Sequence, residues 1–356
     1  VDGLLTDAVL LHQMFEEHLR RRAPAQSEQL LAVQHLPVEI VDLVARHHVD
    51  HLAPGDPVVL LLRDDATPAD VARVRHEWGL DQPLLVQYWQ FISRALVGDF
   101  GKSLKFGEPV LKLVSERLPA TIELATVSLL VAILISIPIG IYSAIKRDTL
   151  LDHAGTGIAL VGVSLPNFWL GIMLIYFLGG QWNLLPVAGR IEYGIEVKSI
   201  TRLYLLDSLI TGNFTAFWSA FKHLLMPAVT LGTALAAIVT RITRSSVLEV
   251  MRQDYVMTAR AKGLSERVVV WRHILRNALI TVITVLGLQL GALLNGSVIT
   301  ETVFSYPGIG DLLIQSISVR DYRLTQVLIL FFGIIYFVVN LLVDVLYTLV
   351  DPRIKL

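Results

Sequence analysis

The chain has 356 residues, 54% of them hydrophobic and only 17% charged, against about 25% charged in ordinary soluble domains. That deficit argues against a soluble enzyme and for a polytopic membrane protein, because hydrocarbon penalises charge. A formal charge of −1 offers no footprint for nucleic acid, and the absence of cysteine excludes disulfides, cysteine-ligated zinc, iron–sulfur clusters and thiol catalysis.

Residues 1–52 read as an atypical N-terminal segment. They carry eight acidic and four basic residues and six of the ten histidines. No clean apolar stretch follows a basic start, so the segment does not read as a signal peptide. His47, His48 and His51 crowd together, but no carboxylate or further histidine completes a metal-ligand spacing, and no metal site is expected. Ala23–Leu52 holds Glu28, Glu39, Asp42, Arg46 and Asp50, with Pro24 and Pro37 interrupting any helix. An Asp or Arg at a helix centre costs about 2.5 to 3.5 kcal/mol, and each Leu or Val returns only about 0.3 to 0.6. The segment is therefore expected outside the bilayer.

Residues 53–119 read as an extracytoplasmic helical segment. Thr67-Pro68-Ala69-Asp70 supplies an N-cap, a first-turn proline and a first-turn acid, predicting a helix to about Trp78 that stops at Gly79. A second, amphipathic helix is expected over Leu84–Leu96. Gly98-Asp-Phe-Gly-Lys-Ser103 looks like a phosphate loop but lacks its first glycine, since Leu96 stands five residues before Gly101.

Five apolar runs follow: Ala120–Ile145, Ala154–Leu178, Leu224–Thr240, Ala278–Thr300 and Leu324–Val343, the last continuing to Val350. About 20 apolar residues cross a core of roughly 30 Å, so each run is expected to span. The only charge among them, Glu123, lies near the outer end of its run and is expected to snorkel. Arg241, just past the third run, is expected to face lipid. Lys146 and Arg147 sit in the first connection, and Arg241 to Arg276 carries eight basic residues against three acidic. The positive-inside rule places 146–153, 241–277 and the tail 351–356 in the cytoplasm, and 53–119 and 180–223 outside. The transmembrane domain is then 120–350.

The loop 245–277 is the most informative stretch. Residues 245–262 have helical character, Gly263 is a natural C′ stop and Ser265 an N-cap for a second helix. Basic residues and a small patch, Ala259 and Ala261, are expected to be exposed there. Periodicity alone leaves two readings open: a lever that transmits a push from a docked partner, or a basic loop that only fixes topology.

Asp254-Tyr-Val-Met-Thr-Ala-Arg-Ala-Lys-Gly-Leu264, followed by Arg272-His-Ile-Leu-Arg-Asn-Ala-Leu279, resembles the "EAA" loop of permease subunits of bacterial ABC importers. It is similar to the dipeptide/oligopeptide/nickel permease family, in the first-permease branch. Leu52-Ala-Pro-Gly-Asp-Pro57, Gly98-Asp-Phe-Gly101, Arg117-Leu-Pro-Ala-Thr121 and Ser164-Leu-Pro-Asn-Phe168 carry the same resemblance. So do Gly296–Gly310, Arg320-Asp-Tyr322, Asn340-Leu-Leu-Val-Asp344 and Asp351-Pro-Arg353, so that it covers 52–356 in order. Met257 stands where the archetype has glutamate, and Thr281 where a proline often follows. The resemblance implies an all-α, type I-like transmembrane domain of six helices with both termini cytoplasmic. Its first helix would fall within 1–52, whose charge and histidine content leaves two readings open: a shifted reading frame or a divergent N-terminus.

The resemblance also implies function. This chain would be half of a translocation path in a bacterial cytoplasmic (inner) membrane, for peptides or similar small solutes. Its partners would be a second homologous permease, two ATPase subunits and an extracytoplasmic solute-binding protein. ATP and Mg would belong to the ATPases; this chain would bind no cofactor and hold no catalytic residue. Asp254, Tyr255, Thr258, Ala259, Arg260, Ala261, Lys262, Gly263 and Leu264 would couple to the ATPase. Intramembrane polar residues Ser164, Asn167, Gln289, Asn295 and Ser297 are candidates to line the path, against the alternative of interhelical hydrogen bonding. Asn340 and Asp344 share a helix face and are expected to be structural. Nickel, glutathione or oligosaccharide are alternative substrates. A stand-alone secondary transporter would need charged span interiors or inverted repeats, and neither is evident.

Overall fold

A computed structural model describes residues 67–350 except 78, 80, 151, 154, 156, 158–161 and 163. The expectations for 1–52, including His47, His48 and His51, and for the tail 351–356 fall outside the described residues. The chain divides into two units at Glu77 and Trp78. Within the first, α1 (Pro68–Glu77) starts as expected. The Asp70 N–H donates to Thr67 Oγ1 and the Thr67 N–H donates back to the Asp70 carboxylate, at 3.3 and 3.2 Å. The first-turn acid closes a reciprocal capping box.

In the second unit, α2 (Leu84–Leu96) has the expected bounds. The apolar runs underestimate the helices that contain them. α3 is Val110–Ile145, so the expected boundary at residue 120 falls inside a helix that begins ten residues earlier. The second run is not one helix. Pro166 is extended (φ −62°, ψ 132°) and α4 (Asn167–Leu174) restarts after it, passing into a π-helical turn at Ile175–Gln181. Proline lacks the N–H a helix needs and disfavours helical backbone at the residue before it. A short α5 (Tyr204–Ile210) precedes α6 (Phe214–Met251). α7 (Asp254–Ala261) and α8 (Glu266–Val268) form the turn between the long helices, and a π segment at Val269–Ile274 leads into α9 (Leu275–Val303). α10 (Ile309–Ser318) and α11 (Tyr322–Val350) complete the chain. Among the described residues, four helices are long and apolar enough to cross a membrane: those containing Val110–Ile145, Phe214–Met251, Glu266–Gly291 and Tyr322–Val343.

The centre of the bundle is α3 against α6 and α9. Ala120, Leu124, Ala132, Leu224, Leu231, Leu235, Val282 and Leu286 form one apolar cluster with Phe304 and Tyr306. Small residues let α3 and α6 approach closely, as membrane helices prefer. A Cβ on Gly232 would stand 2.6 Å from the Ser128 carbonyl. A second cluster lies at the turn formed by α7 and α8. A third joins Val110, Leu113 and Val114 of α3 to α10 and α11.

Candidate functional site

The turn over 252–274 is built as an elbow between the two long helices α6 and α9. The predicted helix over 245–262 is broken in the middle: Gln253 is extended (φ −74°, ψ 144°) and α7 begins anew at Asp254. Val256 and Ala259, three residues apart on one helix face, are buried against Ala144, Val247, Val269, Val270 and Ile274. The expected exposed pair is thereby corrected. Ala259 is 5% exposed and packs inward, while Ala261 is exposed. The other face presents Tyr255, Met257, Thr258, Arg260, Lys262 and Leu264 to solvent, and Asp254 sits exposed at the helix start.

Gly263 ends α7 at φ +77°. Its N–H donates to the Arg260 carbonyl at 2.9 Å and the Leu264 N–H to the Ala259 carbonyl at 3.4 Å. Those two bonds are a Schellman stop, which requires a left-handed residue at this position. Ser265 has N-cap backbone geometry, but its side chain makes no capping bond; its carbonyl accepts from Val268 and Val269. Arg260 grips Glu266 through two bonds at 2.6 and 3.1 Å, bridging α7 to α8 across the turn. Asn277 of α9 donates to the Tyr255 hydroxyl at 2.9 Å. Turn and helices are therefore tied from both sides.

A charged clamp stands nearby. Arg244 on α6 donates to both oxygens of Asp152 at 2.7 and 2.8 Å, and Ser143 at the end of α3 donates to the same carboxylate. Hydrogen bonds from Arg244, then from Ser143, hold the Asp152 carboxyl far below the usual carboxylate range. The pair thus stays charged across physiological pH. Arg241 is exposed on the surface of α6.

The candidate path residues are not gathered into one wall. Ser164 is exposed beside the Pro166 break, and Asn167 is half-buried at the start of α4. Gln289 is half-buried on α9; Asn295 lies on the same helix, with its side chain outside the described set. Ser297 is fully buried and donates to the Leu294 carbonyl at 2.7 Å. Its hydroxyl satisfies its own helix rather than facing an open surface. Asn340 lies where α11 meets α9, its Oδ1 3.6 Å from where a Cβ on Gly291 would stand; the Asp344 side chain is outside the described set.

Three charged residues, Glu123, Arg190 and Glu301, organise the end of the bundle away from the elbow in ways the sequence reading did not anticipate. Glu123 does not snorkel. It is 6% exposed and paired to Arg190 at 2.6 Å, and it accepts the Leu205 N–H at 2.7 Å. Arg190 in turn lies 3.8 Å above the Tyr204 ring. The partner is 67 residues away, which no local pattern reveals. Glu301, one residue beyond the fourth apolar run, is fully buried. It accepts from Thr121 Oγ1 at 2.8 Å and from the Gly310 and Asp311 N–H groups at 2.8 and 3.1 Å. A carboxylate at the start of α10 complements the unsatisfied N–H groups there.

The phosphate-loop lookalike serves a different purpose. Asp321 accepts from Ser103 Oγ at 2.5 Å and from the Lys105 N–H at 3.1 Å, while its other oxygen caps Leu324. The Gly98–Lys105 loop is a strap across the start of α11. Among the described residues no cluster of three or more His, Asp or Glu could hold a metal.

Residues 136–356 match the family model described as binding-protein-dependent transport system inner membrane component, and 38–125 match the model of its N-terminal part. The dipeptide transport system permease protein DppB of Alkalihalophilus pseudofirmus is 42% identical over 320 residues, covering 90% of this chain and 96% of that one. DppB of Escherichia coli K12 is 42% identical over 309 residues, covering 86% and 91%. The glutathione transport system permease protein GsiC of Salmonella choleraesuis is 39% identical over 305 residues, covering 86% and 90%. An inward-facing structure of the MetNI methionine ABC transporter shares the fold at a TM-score of 0.54 and 17% identity, covering 68% of this chain and 99% of that one. With a matching family model over most of its length and relatives this similar along nearly all of it, the chain belongs to the binding-protein-dependent transport system inner membrane components, as a non-catalytic, multi-pass permease subunit of an ABC importer in the dipeptide/oligopeptide branch.

Proposed function

We propose that this permease forms half of a path for short peptides across the inner membrane, its C-terminus cytoplasmic. It would pair with a second permease, two ATPases that hold ATP and Mg, and an extracytoplasmic solute-binding protein. The peptide reading rests on the dipeptide permeases that are 42% identical to it. Glutathione, the cargo named for the 39% identical relative, is itself a tripeptide and falls within the same chemistry.

The observation that carries the coupling role is the construction of α7. Its inner face is locked to the bundle by Val256 and Ala259, and its outer face is free. It is held between α6, 38 residues long, and α9, 29 residues long. At 1.5 Å per residue α6 alone reaches about 57 Å. A push on α7 by closing ATPases would be carried along two rigid helices and tip the bundle between two states. Ser164, Asn167 and Gln289 are the residues we place along the path; Asn295 completes that set on α9.

The test is Gly263→Val. A β-branched residue resists φ +77°, so the Schellman stop is lost and the dock is misplaced. Uptake of labelled dialanine by cells carrying the complex should fall at least tenfold while the assembled complex still reaches the membrane. Wild-type uptake in the variant would remove the coupling assignment.

A further inference from the structure

Beside α6 a largely open depression of about 780 Å³ is lined by residues within 179–195 and the first turns of that helix. Its volume lies in the range of small-molecule sites, roughly 300 to 1,000 Å³. Two features set it apart from a packing defect. First, its walls carry opposite charges, Glu192 on the loop and Lys222 on the helix. Neither head group has an ion-pair partner among the described residues. Lys222 instead rests 5.6 Å over the Trp218 ring, and Phe214 and Trp218 supply an exposed aromatic floor. Second, the loop is held rigidly. Arg190, two residues before Glu192, is buried in its pair with Glu123. The Gly189 N–H donates to the Phe304 carbonyl at 3.2 Å. The Glu192 N–H donates to the buried Ser219 Oγ at 3.0 Å, fixing the loop to α6. His223 lines the same depression, its Nδ1 2.8 Å from the Ser219 carbonyl one turn earlier on its own helix.

We propose that this cavity is a receiving site for the zwitterionic backbone of a short peptide, with Glu192 opposing its ammonium and Lys222 its carboxylate. A dipeptide separates those two groups by roughly two residue lengths at most, about 7 Å, and Glu192 and Lys222 both line the one depression. Amphipathic aromatic rings accept varied side chains without demanding one shape, as a carrier of many peptides requires. Preorganised walls spare the ordering cost that would otherwise oppose weak binding. The site lies on the side that the positive-inside rule places outward, where cargo leaves a binding protein. The proposal rests on the peptide reading above.

The test uses the complete permease–ATPase complex in nanodiscs, without binding protein, and three probes: dialanine, N-acetyl-dialanine and dialanine amide. Binding is read by saturation-transfer NMR. Wild type should bind dialanine at millimolar concentration and each blocked peptide about fivefold more weakly, the scale of one partly exposed charge contact. Glu192→Gln should bind dialanine and N-acetyl-dialanine equally; Lys222→Gln should do the same for dialanine and its amide. Both residues are away from the bundle core, and assembly is checked by co-purification of the ATPases. Equal binding of dialanine by wild type and both variants would overturn the proposal. So would variants that bind dialanine as wild type does yet lose the stimulation of ATP hydrolysis by binding protein added in a second assay, since the surface would then be a protein dock. Dialanine uptake by the wild-type complex in cells separates the two levels. If wild type takes up no peptide, the peptide reading fails; if it does and the variants bind as wild type, only this site fails.

Discussion

A carboxylate taken out of water inside a helix bundle needs a partner of opposite charge and donors for its remaining lone pairs. Glu123 has both in Arg190 and the Leu205 N–H, and the guanidinium gains a further hold on the Arg202 carbonyl at 2.8 Å. Breaking such a pair from one side is costly because the other charge stays buried, typically by about 3 to 5 kcal/mol. Arg190→Met should therefore lower the thermal midpoint of the purified complex markedly. Adding Glu123→Gln should restore much of the loss, because the orphaned charge is gone. If the double variant melts no higher than the single, the energy does not reside in the pair. Arg190 also positions the loop that carries Glu192, so the single variant should weaken dialanine binding without touching the cavity wall itself.

Helix ends and close approaches decide how the elements sit. Gly310 opens α10, where an added Cβ would stand 2.6 Å from the backbone Cα of Val298 on α9. Backbone cannot yield as a side chain can, so Gly310→Ala should cost about 1 to 3 kcal/mol of stability. Gly333→Ala is the matched control. That glycine has open space around it on α11, and Ala is the better helix former, so its melting should be unchanged or raised. A Gly310 variant that melts with the control would refute the close approach. The same scale shows what could be read in advance. α2 and the Gly263 stop were legible because period, caps and a left-handed glycine are local signals. The ten residues by which α3 precedes its apolar run were not, because amphipathic turns at a helix end look like a surface segment. The break at Pro166 was hidden because the run around it carries no charge and is long enough to be read as one span. Glu301 was missed because its donors, Thr121 and the start of α10, are assembled only by the fold. Ala259 was misplaced because an alanine is equally apt to either face of a short helix, and only packing against Val269 and Ile274 decides.

At the scale of the whole molecule, two charged anchors bracket one helix. Glu123 and Ser143 lie on α3, one in the Arg190 pair and the other in the Asp152–Arg244 clamp. Their 20-residue separation is about 30 Å of helix, the thickness of a bilayer's hydrocarbon core. Between them α3 has no charged residue, so the lipid boundary falls near each anchor. The clamp lies on the same side as the elbow, whose loop carries eight basic residues against three acidic, and the positive-inside rule puts that side in the cytoplasm. The Glu123 anchor and the cavity of Glu192 and Lys222 then face outward. Because the chain has no cysteine, single introduced cysteines report this cleanly. Ser93→Cys, exposed on α2, should react with a membrane-impermeant maleimide added to intact spheroplasts. Ser265→Cys, exposed at the elbow, should react only after the membrane is opened. The reverse pattern would invert the topology, moving the elbow away from any ATP-hydrolysing partner and the cavity away from incoming cargo, and both functional readings would fall together.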